Sequence, residues 1–194
     1  MADNKESIIQ DLPVKSEEIS KEQLQARDFK KNPLTQDQFD ALFPPLEWPE
    51  DSRIQELSEE QLYDCLPLFD AARMFLLSNQ QIENFDFGHP NFQNHPHKSD
   101  LIDKGLFKYQ IPLGHPDSFL IERGFDKRIL TNYRNRMQLI RESQINHIIP
   151  YVSITMIEYI TLPQFKMLDF KKLKKDQLDE LFLKNFRGPI SQNV

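Results

Sequence analysis

A six-residue pattern occurs three times near the start of the chain and marks where helices begin. It consists of an apolar residue, Ser or Thr, any residue, an acid, Gln, and Leu or Phe, and it occupies Ile19–Leu24, Leu34–Phe39 and Leu57–Leu62. The hydroxyl can accept a hydrogen bond from the amide three residues on, while the glutamine side chain reaches back to the amide of the capping residue. A related sequence at Leu173–Leu178 has Lys174 in place of the hydroxyl residue. The pattern predicts a protein of short, individually capped helices.

The composition favours a mainly α-helical fold over a β-sheet protein. Five residues are glycine, too few for a fold rich in glycine turns, whereas thirteen prolines interrupt the chain. Hydrophobic residues make up 39% and the mean hydropathy is -0.60, yet 15 residues are phenylalanine. Large apolar side chains on a polar chain suit docking onto a partner as well as burial. We therefore expect a mainly α, non-compact arrangement of short capped helices and one long basic amphipathic helix, joined by extended proline-rich loops.

Changes in composition and charge divide the chain into four predicted regions. These are a polar leader at 1–18, an acidic helical region at 19–83, an extended loop with three His-Pro pairs at 84–118, and a basic helical region at 119–194. Residues 1–97 carry 19 acids and 8 bases, and residues 98–194 carry 11 acids and 16 bases, so the halves have net charges of -11 and +5. Such asymmetry fits a protein that bridges unlike surfaces, and it also fits two ordinary solvated faces.

The acidic region contains three predicted helices, at about 20–31, 35–43 and 58–80, and Pro67 kinks or divides the third. The three capping residues are separated by 15 and then 23 residues, so the caps predict no array of equal repeats.

The basic region centres on a predicted helix over 125–149. Its apolar residues recur at spacings of three or four and form one face, namely Phe125, Ile129, Tyr133, Met137, Ile140 and Ile148. The other face is rich in bases, namely Lys127, Arg128, Arg134, Arg136 and Arg141. Such a helix binds acidic proteins, anionic lipid or nucleic acid phosphates, or it packs by one face alone. Residues 150–162 are apolar on all sides and predict a buried, strand-like segment or a partner contact, and a last helix is expected over 171–186.

The sequence predicts no catalytic, metal or cofactor site. Cys65 lies in a predicted helix without a nearby histidine, and the chain has neither a Gly-x-Ser-x-Gly turn nor a phosphate-binding lysine loop. The residues His89, His95 and His97 lack the spacing of zinc ligands, so we expect loop histidines. The longest apolar stretch is too short for a membrane-spanning helix. A non-enzymatic protein without a transmembrane span is therefore expected.

The order of features between residues 105 and 163 resembles a known family. Gly105-Leu106 precedes a loop through Pro116-Asp117 and then Glu122-Arg123. An arginine-rich helix with His147 near its end follows and stops at Pro150, before Tyr159 and a lysine-rich run from Lys171. This succession resembles the small matrix-facing helical subunit of the mitochondrial cytochrome bc1 complex, often called the ubiquinone-binding-protein subunit. The resemblance covers under a third of the chain.

This resemblance implies a non-catalytic role at the matrix side of the inner membrane, where a basic helix and aromatic anchors clamp cytochrome b and the core subunits. It also implies import without a cleaved presequence, and the acidic segment Met1–Ser7 has no transit-peptide character. The side chains expected at the interface are Tyr133, Arg134, Arg136, Arg141, Tyr151 and Tyr159. Trp48, which lies among prolines, is either an additional docking anchor or a plug in the core.

We therefore expect a non-catalytic accessory subunit of a large protein assembly, with a bc1-type mitochondrial respiratory complex as the first candidate. Its partners would be other protein subunits, with contact to membrane subunits or anionic lipid and with no cofactor. A cytoskeletal or axonemal structural protein in the cytoplasm is the alternative of the same class. A nucleic-acid-binding module that uses helix 125–149 is the alternative from another class, and the acidic first half disfavours it.

A chain that relies on partners to cover its apolar anchors should be only marginally stable alone. We expect the purified chain to aggregate, or to unfold below about 60 °C, the upper end of the ordinary mesophile range. Circular dichroism melting combined with analytical ultracentrifugation measures both properties. A cooperative transition of a monomer above that temperature would contradict this expectation.

Overall fold

A computed structural model describes residues 19–46, 52–109, 116–133, 136–157 and 159–187, and these segments are helical and contain no β-strand. The α-helices in chain order are Lys21–Gln25 (α1), Gln36–Leu42 (α2), Glu59–Cys65 (α3), Ala71–Phe75 (α4), Asn79–Asn84 (α5), Pro90–Gln93 (α6), Lys98–Asp100 (α7), Asp117–Glu122 (α8), Lys127–Tyr133 (α9), Arg136–Leu139 (α10), Ile145–Ile148 (α11), Ile154–Ile157 (α12), Leu162–Lys166 (α13) and Lys175–Arg187 (α14). Short 3-10 turns and one π-helix connect them, at Arg53–Glu56, Leu66–Leu68, Leu101–Leu106 (the π-helix), Glu142–Gln144, Ile149–Tyr151 and Phe170–Lys172. The mainly α prediction is confirmed.

The three predicted capping boxes are present at the starts of α1, α2 and α3. In each, the hydroxyl accepts a hydrogen bond from the amide three residues on, and the glutamine oxygen accepts one from the capping amide. Two further boxes, which the sequence pattern did not predict, start α5 at Ser78 and α13 at Thr161. Before α14 the Gln177 oxygen still accepts from the Lys174 amide at 2.8 Å, although lysine offers no hydroxyl.

Four of these glutamines also tie their helix to an earlier turn of the chain. The side-chain nitrogen donates to two carbonyls that lie three residues apart, where a short helix ends and its last carbonyls lack partners. The main donor and acceptor sets are Gln61 to Leu24 and Arg27, Gln81 to Ile54 and Leu57, Gln164 to Met137 and Ile140, and Gln177 to Ile149 and Val152. One amide group thus satisfies the start of one helix and the end of another.

The chain contains the same succession of elements twice. If 83 is added to each residue number, the turn Arg53–Glu56 becomes α10, Leu66–Leu68 becomes Ile149–Tyr151, and α3, α4 and α5 begin where Glu142–Gln144, α12 and α13 begin. We call residues 53–89 the first repeat and residues 136–172 the second repeat. The six-residue pattern did not predict this repeat. The capping boxes that match between the repeats are those at Ser78 and Thr161, and neither belongs to the three copies of the pattern near the start.

Hydrogen bonds between corresponding residues recur as well. The amide of Asp86 donates to the Tyr63 hydroxyl, and the amide of Asp169 donates to the Asn146 side-chain oxygen at 2.8 Å. Eight of the 37 aligned pairs are identical, at first-repeat positions Arg53, Gln55, Glu59, Gln61, Pro67, Gln81, Asp86 and Phe87. The shared pattern of turns and ties, more than the sequence identity, defines the repeat.

Helix α4 of the first repeat packs closely against the π-helix Leu101–Leu106. Gly105 permits this approach, because a Cβ atom there would lie 2.8 Å from both the Ala71 carbonyl oxygen and the Met74 Cβ. Helix α5 packs against α10 of the second repeat, and the buried apolar side chains from Ile19 to Leu181 form one cluster. The described segments therefore share a continuous core that runs through both repeats.

The predicted long basic helix over 125–149 is wrong. The chain forms α9, α10, the turn Glu142–Gln144 and α11 instead, with residues 134–135 outside the described segments. The backbone at Arg141 is extended, with φ -59° and ψ 143°, so helical geometry stops before it and resumes after it. The carbonyls of Met137 and Ile140 are turned to the Gln164 amide, which replaces the hydrogen bonds that a continuous helix would have made.

The prediction of an extended loop over 84–118 is also wrong for the described residues. Pro90 occupies the first turn of α6, where proline has no amide to satisfy, and the Nδ1 atom of His89 caps the helix by accepting from the Asn91 amide at 3.2 Å. The rings of Phe85, Phe87 and Phe92 are fully buried and contact one another edge to face or tilted. Residues 150–157, expected as strand-like, form the turn Ile149–Tyr151 and α12.

Removal of the Gln164 amide should destabilise the fold strongly. Gln164 is 1% exposed and accepts from the Thr161 amide while donating to Met137 and Ile140, so Gln164→Leu removes three hydrogen bonds to the backbone, two of them buried. We expect a loss of about 2 to 4 kcal/mol in the free energy of unfolding, measured by urea denaturation. The matched control is Gln23→Leu, because Gln23 caps α1 in the same way but is exposed, and it should cost less than about 1 kcal/mol. Equal losses would show that the ties to earlier turns contribute nothing.

Candidate functional site

Among the described side chains that were expected at a partner interface, Arg136 and Tyr159 are buried, while Arg141 and Tyr151 reach the surface. Trp48 and Arg134 lie outside the described residues, and Tyr133 belongs to the end of α9. Tyr159 is buried, with 5% of its surface exposed. Tyr151 is partly exposed, and the Lys98 ammonium lies 5.3 Å from the centre of its ring. The surface role of Tyr151 therefore stays a prediction, whereas Tyr159 packs inside the chain.

Arg136 is a structural clamp between the two repeats. Its side chain is buried and donates to the carbonyls of Phe75 at 3.1 Å and Leu77 at 2.7 Å, where α4 ends, and to Leu106 at 3.4 Å, where the π-helix ends. The corresponding residue of the first repeat, Arg53, lies 3.5 Å from Glu56 and is partly exposed. Arg136 is therefore turned away from any partner that docks on the described surface.

Arg141 remains exposed, and its guanidinium donates to the Asn84 carbonyl at 3.3 Å across the junction between the repeats. It is a surface residue that also touches the first repeat. Its assignment to a partner interface stays a prediction.

The cysteine and the histidines have structural surroundings. Burial raises the pKa of the Cys65 thiol to about 12, so the thiolate form is suppressed at neutral pH. His95 is 5% exposed, and its Nδ1 accepts from the His97 amide at 3.1 Å. Burial lowers the pKa of His95, and the nearby His97 lowers it further. Within the segments that the structure describes, no cluster of His, Cys, Asp or Glu is arranged to hold a metal ion.

Two shallow clefts occupy corresponding places in the two repeats, with volumes of about 230 and 340 Å³. Both are lined by the capping box before the repeat's last helix and by the turn that its glutamine binds, as at Ser78 and Gln81 in the first repeat. The capping residues line both clefts at matched positions, and charged side chains such as Arg141 and Glu142 also line the second cleft. The clefts are therefore consequences of the repeated fold.

Exposed large apolar side chains are concentrated in the last third of the chain. Seven are at least 40% exposed among the described residues, and only Ile121 precedes the second repeat. The other six are Ile154, Leu162, Met167, Phe170, Phe182 and Leu183. Residues 19–109, where described, expose no such side chain, so the two halves differ in surface chemistry as well as in charge.

The most exposed of these residues surround α13. Leu162 is 66% exposed, Met167 53% and Phe170 42%, and the ring of Phe170 lies 5.7 Å from the ring of the half-buried Phe165. We call Leu162, Phe165, Met167 and Phe170, together with the adjacent exposed Lys166, Lys171 and Lys172, the α13 surface. It combines apolar anchors with positive charge.

The side chain and backbone of Asn146 hold the loop of this surface in place. The Asn146 side-chain nitrogen donates to the Met167 carbonyl at 2.6 Å, and its side-chain oxygen accepts from the Asp169 amide at 2.8 Å. The Lys172 ammonium donates to the Asn146 carbonyl at 3.3 Å. Met167 and Phe170 are therefore carried on an anchored turn, which lowers the entropy lost when a partner binds.

The first repeat shows that two apolar residues of the α13 surface, Leu162 and Met167, are not required for the fold. Leu162 and Met167 correspond to Asn79 and Asn84, which are also exposed on a helix of the same kind. Phe170 corresponds to Phe87, which is fully buried against Phe85 and Phe92. Because polar side chains occupy the same exposed positions in the first repeat, the apolar residues of the second repeat point to a function in binding.

Sequence reasoning did not select the α13 surface. Leu162 ends the segment that was expected to be buried, residues 165–170 lie between that segment and the predicted last helix, and Lys171 and Lys172 start that helix. An alignment of the two repeats would have shown Leu and Met at positions where the first repeat has Asn. That alignment requires a shift of 83 residues, and the spacing of the six-residue patterns does not indicate such a shift.

Comparisons with known proteins add no relative to this picture. No protein-family model, no curated protein and no solved structure matches the chain. Among the described helices, none combines the length and apolar character needed to cross a bilayer.

Substitutions of the two arginines in the second repeat should differ in their effect on stability, because Arg136 is buried and Arg141 is exposed. Replacement of the buried Arg136 by Met removes three hydrogen bonds to buried carbonyls, so we expect a loss of about 3 kcal/mol in the free energy of unfolding. Replacement of the exposed Arg141 by Met should cost less than about 1 kcal/mol. Urea denaturation of both variants measures the difference. If both variants lose the same stability, Arg136 is not the clamp between the repeats.

Proposed function

We propose that this chain is a non-catalytic accessory subunit that joins a larger protein assembly through its α13 surface. The observation that supports this proposal most directly is the contrast between matched positions of the repeats, where exposed Asn79 and Asn84 become exposed Leu162 and Met167. The fold does not depend on these side chains, and both are exposed, Leu162 at the start of α13 and Met167 on the anchored turn that follows it. Such pre-organised apolar residues are the usual centre of a protein interface.

The exposed apolar side chains around α13 are too few to form a stable interface alone. A specific interface covers about 800 Å² on each partner, or roughly 20 residues. Helices α12 and α14 pack against each other in the same third of the chain, and they expose Ile154, Phe182 and Leu183. These residues can extend the contact area beyond the α13 surface.

A bc1-type respiratory complex remains the first candidate assembly, and it stays a prediction. The resemblance rested on one arginine-rich helix between Gly105 and Pro150, whereas the chain forms several short helices there and Arg136 faces inward. Under this proposal the α13 surface, rather than the arginine helix, makes the principal contact. Fractionation of the source cell with mass spectrometry tests the assignment, because a bc1 subunit must co-migrate with cytochrome b.

Replacement of two exposed residues of the α13 surface by the residues at the matched positions of the first repeat tests the proposed function. In the double variant Leu162→Asn with Met167→Asn, exposed positions receive the side chains that Asn79 and Asn84 provide in the first repeat. We expect the melting temperature to change by less than about 3 °C, since no buried group is removed, while the tagged chain shifts from a large complex to the free species in native fractionation.

The matched control is Ile121→Asn, which removes a 44% exposed apolar side chain from α8, outside the α13 surface. This control should leave the migration of the chain unchanged. If the double variant still migrates with the complex, or if the control is released equally, the α13 surface is not the docking site.

A further inference from the structure

We infer that the partner segment which docks on the α13 surface is an acidic amphipathic helix of another protein. This inference rests on the proposed function, because it names the partner chemistry of the same surface. It follows from the charges that the second repeat has acquired, from the spacing of its apolar anchors, and from the kinds of partner that the described surface disfavours.

The second repeat has lysine at three positions where the first repeat has an acidic or neutral residue. Glu83 of α5 corresponds to Lys166 of α13, Gly88 corresponds to Lys171, and His89 corresponds to Lys172. Lys174 and Lys175 continue the series beyond the repeat. The positions that changed from polar to apolar are therefore bordered by positions that changed from acidic or neutral to basic. Both changes alter how the surface binds without altering the shared fold.

Among the described residues, no Asp or Glu side chain forms an ion pair with these lysines. Elsewhere in the described residues, Lys31 pairs with Asp28, Arg73 pairs with Asp40 and Asp70, and Lys104 pairs with Asp100. No corresponding ion pair is found for Lys166, Lys171 or Lys175 in the segments that the structure describes, and all three are exposed.

Two nearby acids, Asp169 and Asp176, hydrogen-bond to backbone amides rather than to a lysine side chain. A side-chain oxygen of Asp169 accepts from the Lys171 amide at 3.1 Å, and one of Asp176 accepts from the Gln177 amide at 3.0 Å. Positive charge at the surface is thus available to carboxylates that a partner provides, and this complementarity increases the association rate and the specificity.

A helix suits this surface better than an extended strand. Binding by strand addition needs a sheet edge with open amides and carbonyls, and the described residues contain no strand. Three anchors, Leu162, Met167 and Phe170, lie over a short helix and the turn that follows it. A partner helix with apolar residues at positions i, i+3 or i+4, and i+7 can contact them with one face, while acids on its flanks meet the lysines.

Two other occupants fit less well. A second copy of this chain could offer its acidic half, but residues 19–109, where described, expose no large apolar side chain to meet the three anchors. An anionic bilayer would attract the lysines, but exposed Asp169 and Asp176 lie among them and would face the lipid phosphates. A partner helix can place its own charges so that these acids are avoided.

Selection from a peptide library tests the inference on the full-length chain. The probe is a display library of helical peptides of about 20 residues with randomised surface positions, selected on the wild-type chain after depletion on the Leu162→Asn, Met167→Asn variant. We expect the retained peptides to be enriched in Asp and Glu beside Leu or Phe at helical spacing. A purified peptide should bind at least about tenfold more weakly to Lys166→Glu with Lys171→Glu, and more weakly at about 0.5 M than at about 0.05 M salt.

The outcomes separate this inference from the proposed function. Neutral or basic peptides that still depend on Leu162 and Met167 would overturn the acidic partner and leave the docking surface in place. No enrichment over the depleted variant would overturn both. Sedimentation with phosphatidylserine vesicles that is lost in the double variant, or formation of a dimer that is lost in it, would replace the partner helix by a membrane or by a second copy and so overturn the inference.

Discussion

The buried glutamine amide is the interaction on which this fold depends. Helices of four to seven residues, the size of most in this chain, leave most of their backbone amides and carbonyls without a partner inside the helix. Gln164 provides partners for two such ends. Its side-chain oxygen accepts from the Thr161 amide at the start of α13, and its side-chain nitrogen donates to the Met137 carbonyl at the end of α10. Gln61, Gln81 and Gln177 make the same double contact elsewhere. Short helices can therefore replace long ones here, because each end is supplied by another element of the same chain.

The starts of helices could be predicted from the sequence, whereas their lengths and their partners could not. A cap depends on residues three positions apart, so Ser20, Thr35 and Ser58 are recognisable without any tertiary structure. The apolar spacing from Phe125 to Ile148 is equally compatible with one long helix and with several short ones. The choice between them is made by Gln164, which lies more than twenty residues away and draws two carbonyls out of the helical register.

The same limit applies to the candidate site. Arg53 and Arg136 occupy the same place in the two repeats, yet one is partly exposed and the other is buried beneath the first repeat. Sequence periodicity assigned Arg136 to the exposed basic face of a helix because it could not include the end of α4, which covers the side chain. The α13 surface was missed for the complementary reason, since Leu162 and Met167 look like core residues until they are compared with Asn79 and Asn84. Burial is a property of the neighbouring element, and here that element precedes the residue by about sixty positions.

Duplication of the fold also makes the chain a potential bivalent binder. The first repeat already has a helix, a turn and a polar face that match those under the α13 surface, and α5 leaves Asn79, Glu83 and Asn84 in solvent. Transfer of Leu, Lys and Met to these three positions would place a second set of recognition residues on the same rigid chain. Two linked sites gain avidity from effective concentration alone, without any stronger contact at either one. Because the two repeats share a fold, the number of binding sites can be changed by substitutions at the surface, without any change to the glutamines that hold the helices together.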